Sequence, residues 1–127
     1  MALGADTLQG EVAVILDAKK EKLYAGVFEV KNKTLRVVQK PRLVKIDKLL
    51  QGVKRPRLFL GDGVNIYRER ILKSDQCRIA EAGETAYPKA SHIAERAMDL
   101  IQKKKWSDPF SLEPLYLHPR NCNVMKK

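Results

Sequence analysis

Long apolar runs are missing from this chain. Nowhere do hydrophobic residues continue for the roughly 18 positions that a membrane-spanning helix requires, so such a helix is excluded. Met1 to Gly10 has no basic stretch followed by an apolar one, and so does not read as a secretory signal. Cysteine is scarce. Cys77 and Cys122 could pair, but two thiols in a lysine-rich chain fit a reducing cytosol better than a disulfide scaffold. The expected compartment is the cytoplasm. His92 and His118 have no cysteine or carboxylate at ligand spacing, which argues against a zinc site. Aromatic residues make up only 6%, and few fall among the basic residues, so no stacking platform for single-stranded RNA is indicated. No internal repeat or low-complexity segment is present.

What remains is enough for one domain. The chain has 127 residues, 44% hydrophobic and 31% charged, with aliphatics recurring throughout. Lys and Arg number 25 against 15 Asp and Glu, a net charge of +10. Most of the excess lies in one stretch: Lys31, Lys33, Arg36, Lys40, Arg42, Lys45, Lys48, Lys54, Arg55 and Arg57 are accompanied by a single acid, Asp47. A surplus concentrated in this way attracts polyanions, and these ten residues are candidate nucleic-acid contacts. Basic residues also keep an exposed sheet edge from pairing with another chain, so the run has a structural reading too.

Periodicity supplies an element order. Met1 to Gln9 reads as a linker or helix remnant. Glu11 to Asp17 is almost continuously apolar and suits a central strand buried on both faces. Leu23 to Val30 reads as a second strand, joined to the first by a short polar hairpin. Leu35 to Val44 contains Pro41, which cannot donate to a ladder, so this third strand belongs at an edge. Ile46 to Gln51 is a short helix with Gly52 where a left-handed cap is favoured. Arg57 to Leu60 is a brief strand ending at Gly61-Asp62-Gly63. Val64 to Leu72 is helical with Val64, Tyr67 and Ile71 on one face, and Cys77 to Ala80 is a last short strand. Tyr87-Pro88 opens the longest helix. Ala90, Ile93, Ala94, Ala97 and Ile101 fall at helical spacing, small enough to let that helix sit close to a sheet. Lys103, Lys104 and Lys105 end it where cations suit the dipole. Trp106 and Phe110 are expected to cover one end of the core, and His118 to Lys127 reads as a flexible tail. Residues 10–117 thus form one α/β domain of order β-β-β-α-β-α-β-α, the ribonuclease H-like order with a mixed sheet and right-handed crossovers.

That order invites a nuclease, which needs several carboxylates converging on two metal ions about 4 Å apart. Asp17 and Asp62 would be neighbours in this topology, with Asp47, Glu95 or Asp99 completing the site. Asp17, however, is followed by a lysine-rich turn, and Asp62 sits between glycines as turn residues do. Gly61-Asp62-Gly63 could cradle a phosphate on the following helix, although the central acid opposes an anion. On the residues alone no catalytic, cofactor or metal site emerges.

Three segments carry a resemblance: Gly10 to Val30 (GEVAVILDAKKEKLYAGVFEV), Gly61 to Tyr67 (GDGVNIY) and Leu112 to Leu117 (LEPLYL). Together they resemble the C-terminal half of TsaB, or YeaZ, the accessory subunit of bacterial tRNA threonylcarbamoyladenosine synthesis. Asp17-Ala18-Lys19-Lys20 and Leu23-Tyr24 occupy the family's positions after the first strand. The resemblance implies an ASKHA-type fold and a noncatalytic scaffold rather than an enzyme, without cofactor. It implies as partners a TsaD-like catalytic paralogue and a TsaE-like ATPase. The N-terminal half, which in the family carries the main TsaD surface, is absent from this sequence. The expected function is therefore that of a scaffold domain supporting threonylcarbamoyl transfer to adenosine 37 of tRNA, with a basic surface as a tRNA contact. The alternatives are a free-standing metal-dependent nuclease, or a domain that self-associates through surfaces the other half would cover.

Overall fold

β-branched and aromatic residues recur from Val12 to Val44, and these segments pair as consecutive antiparallel strands before any helix intervenes. The computed structural model describes residues 9–32, 34–80 and 89–117. Their elements are β1 (Gly10–Asp17), β2 (Leu23–Lys31), β3 (Thr34–Val44), α1 (Ile46–Gln51), β4 (Arg57–Leu60), α2 (Gly63–Ile71), β5 (Cys77–Ile79) and α3 (Ala90–Gln102). The expected order is the observed one. Strand boundaries move by a residue or two, and α1 and β4 start and stop where the sequence places them. The assignments made to 1–8, Lys33, 81–88 and 118–127 lie outside the described residues.

The five strands form one mixed sheet, ordered β3-β2-β1-β4-β5. β1 pairs antiparallel with β2, and β2 with β3. β1 pairs parallel with β4, and β4 with β5. This is the ribonuclease H-like, ASKHA-type arrangement. β1 is central, and its neighbouring residues point into two separate cores, as its continuous apolar run requires. Ala13 and Ile15 join Leu23, Val27, Leu49, Phe59, Val64 and Ile71 on the side carrying α1 and α2. Val12 packs with Val30 and Leu60 on the other side. β3 lies at the edge, as Pro41 demands, and most of its residues are exposed. Among the described residues no helix is long and apolar enough to cross a membrane.

Three local expectations are corrected. Gly52 has φ −84°, so α1 does not end in a left-handed cap; Val53 N–H instead donates to Leu50 O at 3.0 Å in a tight turn. The helix α3 buries none of its residues, with Ile93, Met98 and Ile101 each more than half exposed. Its apolar spacing is real, but none of its side chains joins the core cluster that Val64 and Ile71 of α2 enter. Trp106 and Phe110 are exposed, at 67% and 98%, and cover no part of the core. The lysines at the end of α3 do terminate it. Lys104 takes a left-handed φ of 52°, Lys105 N–H donates to Leu100 O, and Lys104 N–H donates to Ile101 O. That pair of bonds is a Schellman termination, with lysine where glycine is usual.

Candidate nucleic-acid interface

The basic run folds into two groups on either side of α1. Arg42, Lys45 and Lys48, with Lys22 from the β1–β2 hairpin and Asp47, surround a cavity of about 550 Å³. Arg36, Lys54, Arg55 and Arg57, with Glu11 and Glu29, surround a second of about 520 Å³. Lys31 and Lys40 lie exposed on β2 and β3, and Lys33 lies outside the described residues. The run contains no hint of Lys22. It joins the first group because β2 places the hairpin beside the end of β3, where Leu23 pairs with Val44.

Arg57 departs from the expectation of a surface contact. Its side chain is 3% exposed, and Glu11 Oε2 accepts from its Nε at 3.0 Å and its Nη2 at 2.7 Å. A guanidinium is weakly hydrated and planar, so it tolerates such a position where an ammonium would not. Arg36 Nη1 stands 4.0 Å from Glu29, largely in solvent. The remaining described members of the run are exposed, so their charges are screened and act together rather than singly.

The candidate nuclease acids do not converge. Asp17 and Asp62 are neighbours: Asp62 Oδ1 accepts from Asp17 N–H at 3.1 Å. Yet Asp62, at the start of α2, makes no side-chain cap to its own helix; its carboxylate closes the end of β1 instead. Asp17 is committed to the hairpin, accepting from Lys19 N–H at 2.9 Å and Lys19 Nζ at 2.6 Å. The hydrogen bond from the Lys19 side chain holds the Asp17 carboxyl below its ordinary value, and the same bond raises Lys19. Asp47 faces Arg70 at 3.7 Å on the surface. Asp99 pairs with Lys103 and Arg96 on exposed α3, and the Lys103 bond is first in holding its carboxyl low. Among the described residues no three His, Cys, Asp or Glu side chains gather as a metal site would require.

The glycines at the end of β4 serve packing. Gly61 has φ +106°, and a Cβ there would lie 2.2 Å from Ile15 O. At Gly63 a Cβ would meet Leu23 at 3.1 Å and Ile15 O at 3.2 Å. Both positions let the turn into α2 lie directly on β1, which accounts for the Gly-Asp-Gly sequence without a phosphate.

With the sheet order and helix positions established, solved structures offer a comparison. YeaZ from Pseudomonas aeruginosa superposes on 91% of this chain with a TM-score of 0.64 and 17% identity. An uncharacterised Pseudomonas aeruginosa protein with similarity to the peptidase YeaZ superposes on 92%, with a TM-score of 0.67 and 17% identity. The fold is that of YeaZ. This chain spans about half of the two YeaZ-type structures, 54% of each. No protein-family model matches the sequence, and no curated protein does.

Proposed function

We propose that this chain is a noncatalytic scaffold domain of a TsaB-like subunit, supporting threonylcarbamoyl transfer to adenosine 37 of tRNA. The observation that carries this reading is the superposition on YeaZ over 91–92% of the chain. The three sequence segments that resemble the TsaB family add to it. Its partners would be a TsaD-like catalytic subunit and a TsaE-like ATPase. The TsaD contact of this half alone should be weak, because the resemblance places the main surface on the other half. In this reading the domain contributes shape and charge, not a reacting group. A nuclease is disfavoured by the dispersal of Asp47, Glu95 and Asp99 away from the Asp17–Asp62 pair.

The exposed cations along β3 and α1 would contact tRNA phosphates. Each phosphate neutralised contributes roughly 0.9 to the slope of log affinity against log salt. Replacing Lys40, Arg42 and Lys45 with Ser should therefore flatten that slope by about two to three. A tRNA-binding titration between low and physiological salt measures it. Absence of binding at low salt would remove the tRNA contact from the reading. Unchanged threonylcarbamoyladenosine content of tRNA in cells whose longer TsaB-like chain has lost this half would remove the scaffold role.

A further inference from the structure

Register places four charged residues in one row across the sheet. Glu11 of β1 lies opposite Glu29 of β2 and opposite Arg57 of β4, and Glu29 lies opposite Arg36 of β3. Residues directly opposite share a face, and this row continues the face on which Ala13, Val27 and Phe59 are buried. The row therefore runs + − − + along the floor of the face bearing α1, at the end of the sheet remote from Asp17 and Asp62. Lys54 and Arg55, in the loop between α1 and β4, line the same 520 Å³ cavity.

Arg57 is the unusual member. Its Nε and Nη2 both donate to Glu11 Oε2, which fixes the plane of the guanidinium. Its Nη1 is closed to solvent and has no acceptor. A buried donor without a partner is costly, and Arg57 is among the residues lining the cavity, so an anion seated there meets the guanidinium at the wall and reaches Nη1 only as the side chains covering it give way. The lining holds four cations, Arg36, Lys54, Arg55 and Arg57, against the carboxylates Glu11 and Glu29. Two positive charges are left unbalanced, which matches a dianion rather than a single phosphodiester. A guanidinium held in place beside two flexible cations suits the tetrahedral oxygens of phosphate.

We propose that this cavity binds a phosphate monoester dianion, with Arg57 as its buried floor and Lys54 and Arg55 as its rim. A free mononucleotide and the 5′-phosphate of an RNA both carry this group, and the recognising chemistry is the same. This site meets the proposed tRNA contact along β3 at Arg36, while Lys40, Arg42 and Lys45 do not line it.

The test is an NMR titration of the full chain at constant ionic strength, following backbone amides and the Arg57 Nε–Hε resonance. The probes are adenosine 5′-monophosphate, adenosine, and a short oligoribonucleotide with either a 5′-phosphate or a 5′-hydroxyl. Expected are saturable shifts at Gly52, Lys54, Arg55 and the Arg57 guanidinium with the monophosphate, and none with adenosine. K54S/R55S should weaken that binding about tenfold or more, the scale of losing two charge-assisted bonds. K40S/R42S/K45S should leave it within about twofold, because exposed charges beyond the cavity are screened. A stronger response to the 5′-phosphorylated oligonucleotide than to its 5′-hydroxyl form assigns the site to RNA ends; a response to the mononucleotide alone assigns it to nucleotides. Shifts in the loop amides without the Arg57 guanidinium would overturn the proposal, as would equal shifts with sodium chloride. Loss of monophosphate binding in the triple variant but not in the double one would overturn this site while leaving the tRNA contact standing.

Discussion

Two regions of this molecule use similar side chains to opposite ends. Between Gly10 and Ala80 most of the aliphatics are buried, with Ile15, Val27, Leu23, Phe59 and Ile71 essentially closed to solvent, and the exposed ones, Leu35, Val37, Val38, Ile66 and Leu72, lie on edge strand β3 and around α2. From Ala90 to Tyr116 the large apolar side chains of Ile93, Met98, Ile101, Trp106, Phe110, Leu112, Leu115 and Tyr116 are all more than half exposed. The α3 stripe is as regular as any in the chain, so regularity alone does not decide burial. Contact does: Val64 and Ile71 of α2 pack into the cluster with Ile15, Leu23 and Phe59, whereas no residue of α3 is buried. A hydrophobic period states which face of a helix can be buried; what buries it is a property of the neighbours.

The sharpest way to break this contrast is to cut the same chemistry out of both regions. Phe59→Ala should destabilise the chain by about 3–5 kcal/mol, the cost of a buried aromatic lost with its cavity. Gly61→Ala should cost about 3 kcal/mol or more, because a left-handed backbone and a contact with Ile15 O must both be relieved. Ile93→Ala and Ile101→Ala should each cost no more than about 0.5 kcal/mol, as exposed substitutions do. Urea unfolding measures all four, and a loss at Ile93 comparable to that at Phe59 would mean α3 is packed in solution.

The smallest expected effect lies at the hairpin. Asp17 titrates below its ordinary value of 3.8 in the folded chain, so its contribution is complete above that pH and is lost as pH falls through the folded value. Lys19 is raised from 10.5, so its contribution is complete below that pH and fades as pH rises through its folded value. The stability difference between the native chain and Asp17→Asn should therefore be flat between about pH 5 and 10 and shrink at both extremes. A difference that stays flat below pH 3 would show that Lys19 and Asp17 do not pair.

Much of the sheet was legible because its signals are local. β-branched runs, Pro41 in β3 and glycines around Asp62 each mark an element or its end within a few residues. The proximity of Asp17 and Asp62 also followed from topology, but their use did not: the Asp62 carboxylate closes β1 instead of capping α2. Arg57 shows the limit most plainly. In sequence it is the last of ten cations, indistinguishable from Arg55. Its burial depends on Glu11, 46 residues away, and on parallel register between β1 and β4. The available clue was an acid opening an otherwise apolar central strand, opposite a base opening another. Lys22 was missed for the same reason, since its neighbours come from the far end of β3. Gly52 was overread, because a glycine after a helix permits a left-handed residue without requiring one.

The parallel pairing of β1 with β4 has a kinetic consequence. The hairpins β1–β2 and β2–β3 close loops of a few residues, whereas β4 must return across the whole meander before it meets β1. Short closures come within microseconds, and long ones wait on chain diffusion and loop entropy. The meander should accordingly lead, with Glu11 still in water until Arg57 arrives and the row across the sheet is completed. Substitutions in the β1–β2 hairpin should then slow folding, while Leu60→Ala in β4 should mainly speed unfolding, a division that chevron kinetics would resolve. In a chain made from its N-terminus the order of synthesis and the order of closure coincide, so β4, which completes the charged row, comes after the meander in both, with β5 left to close the edge.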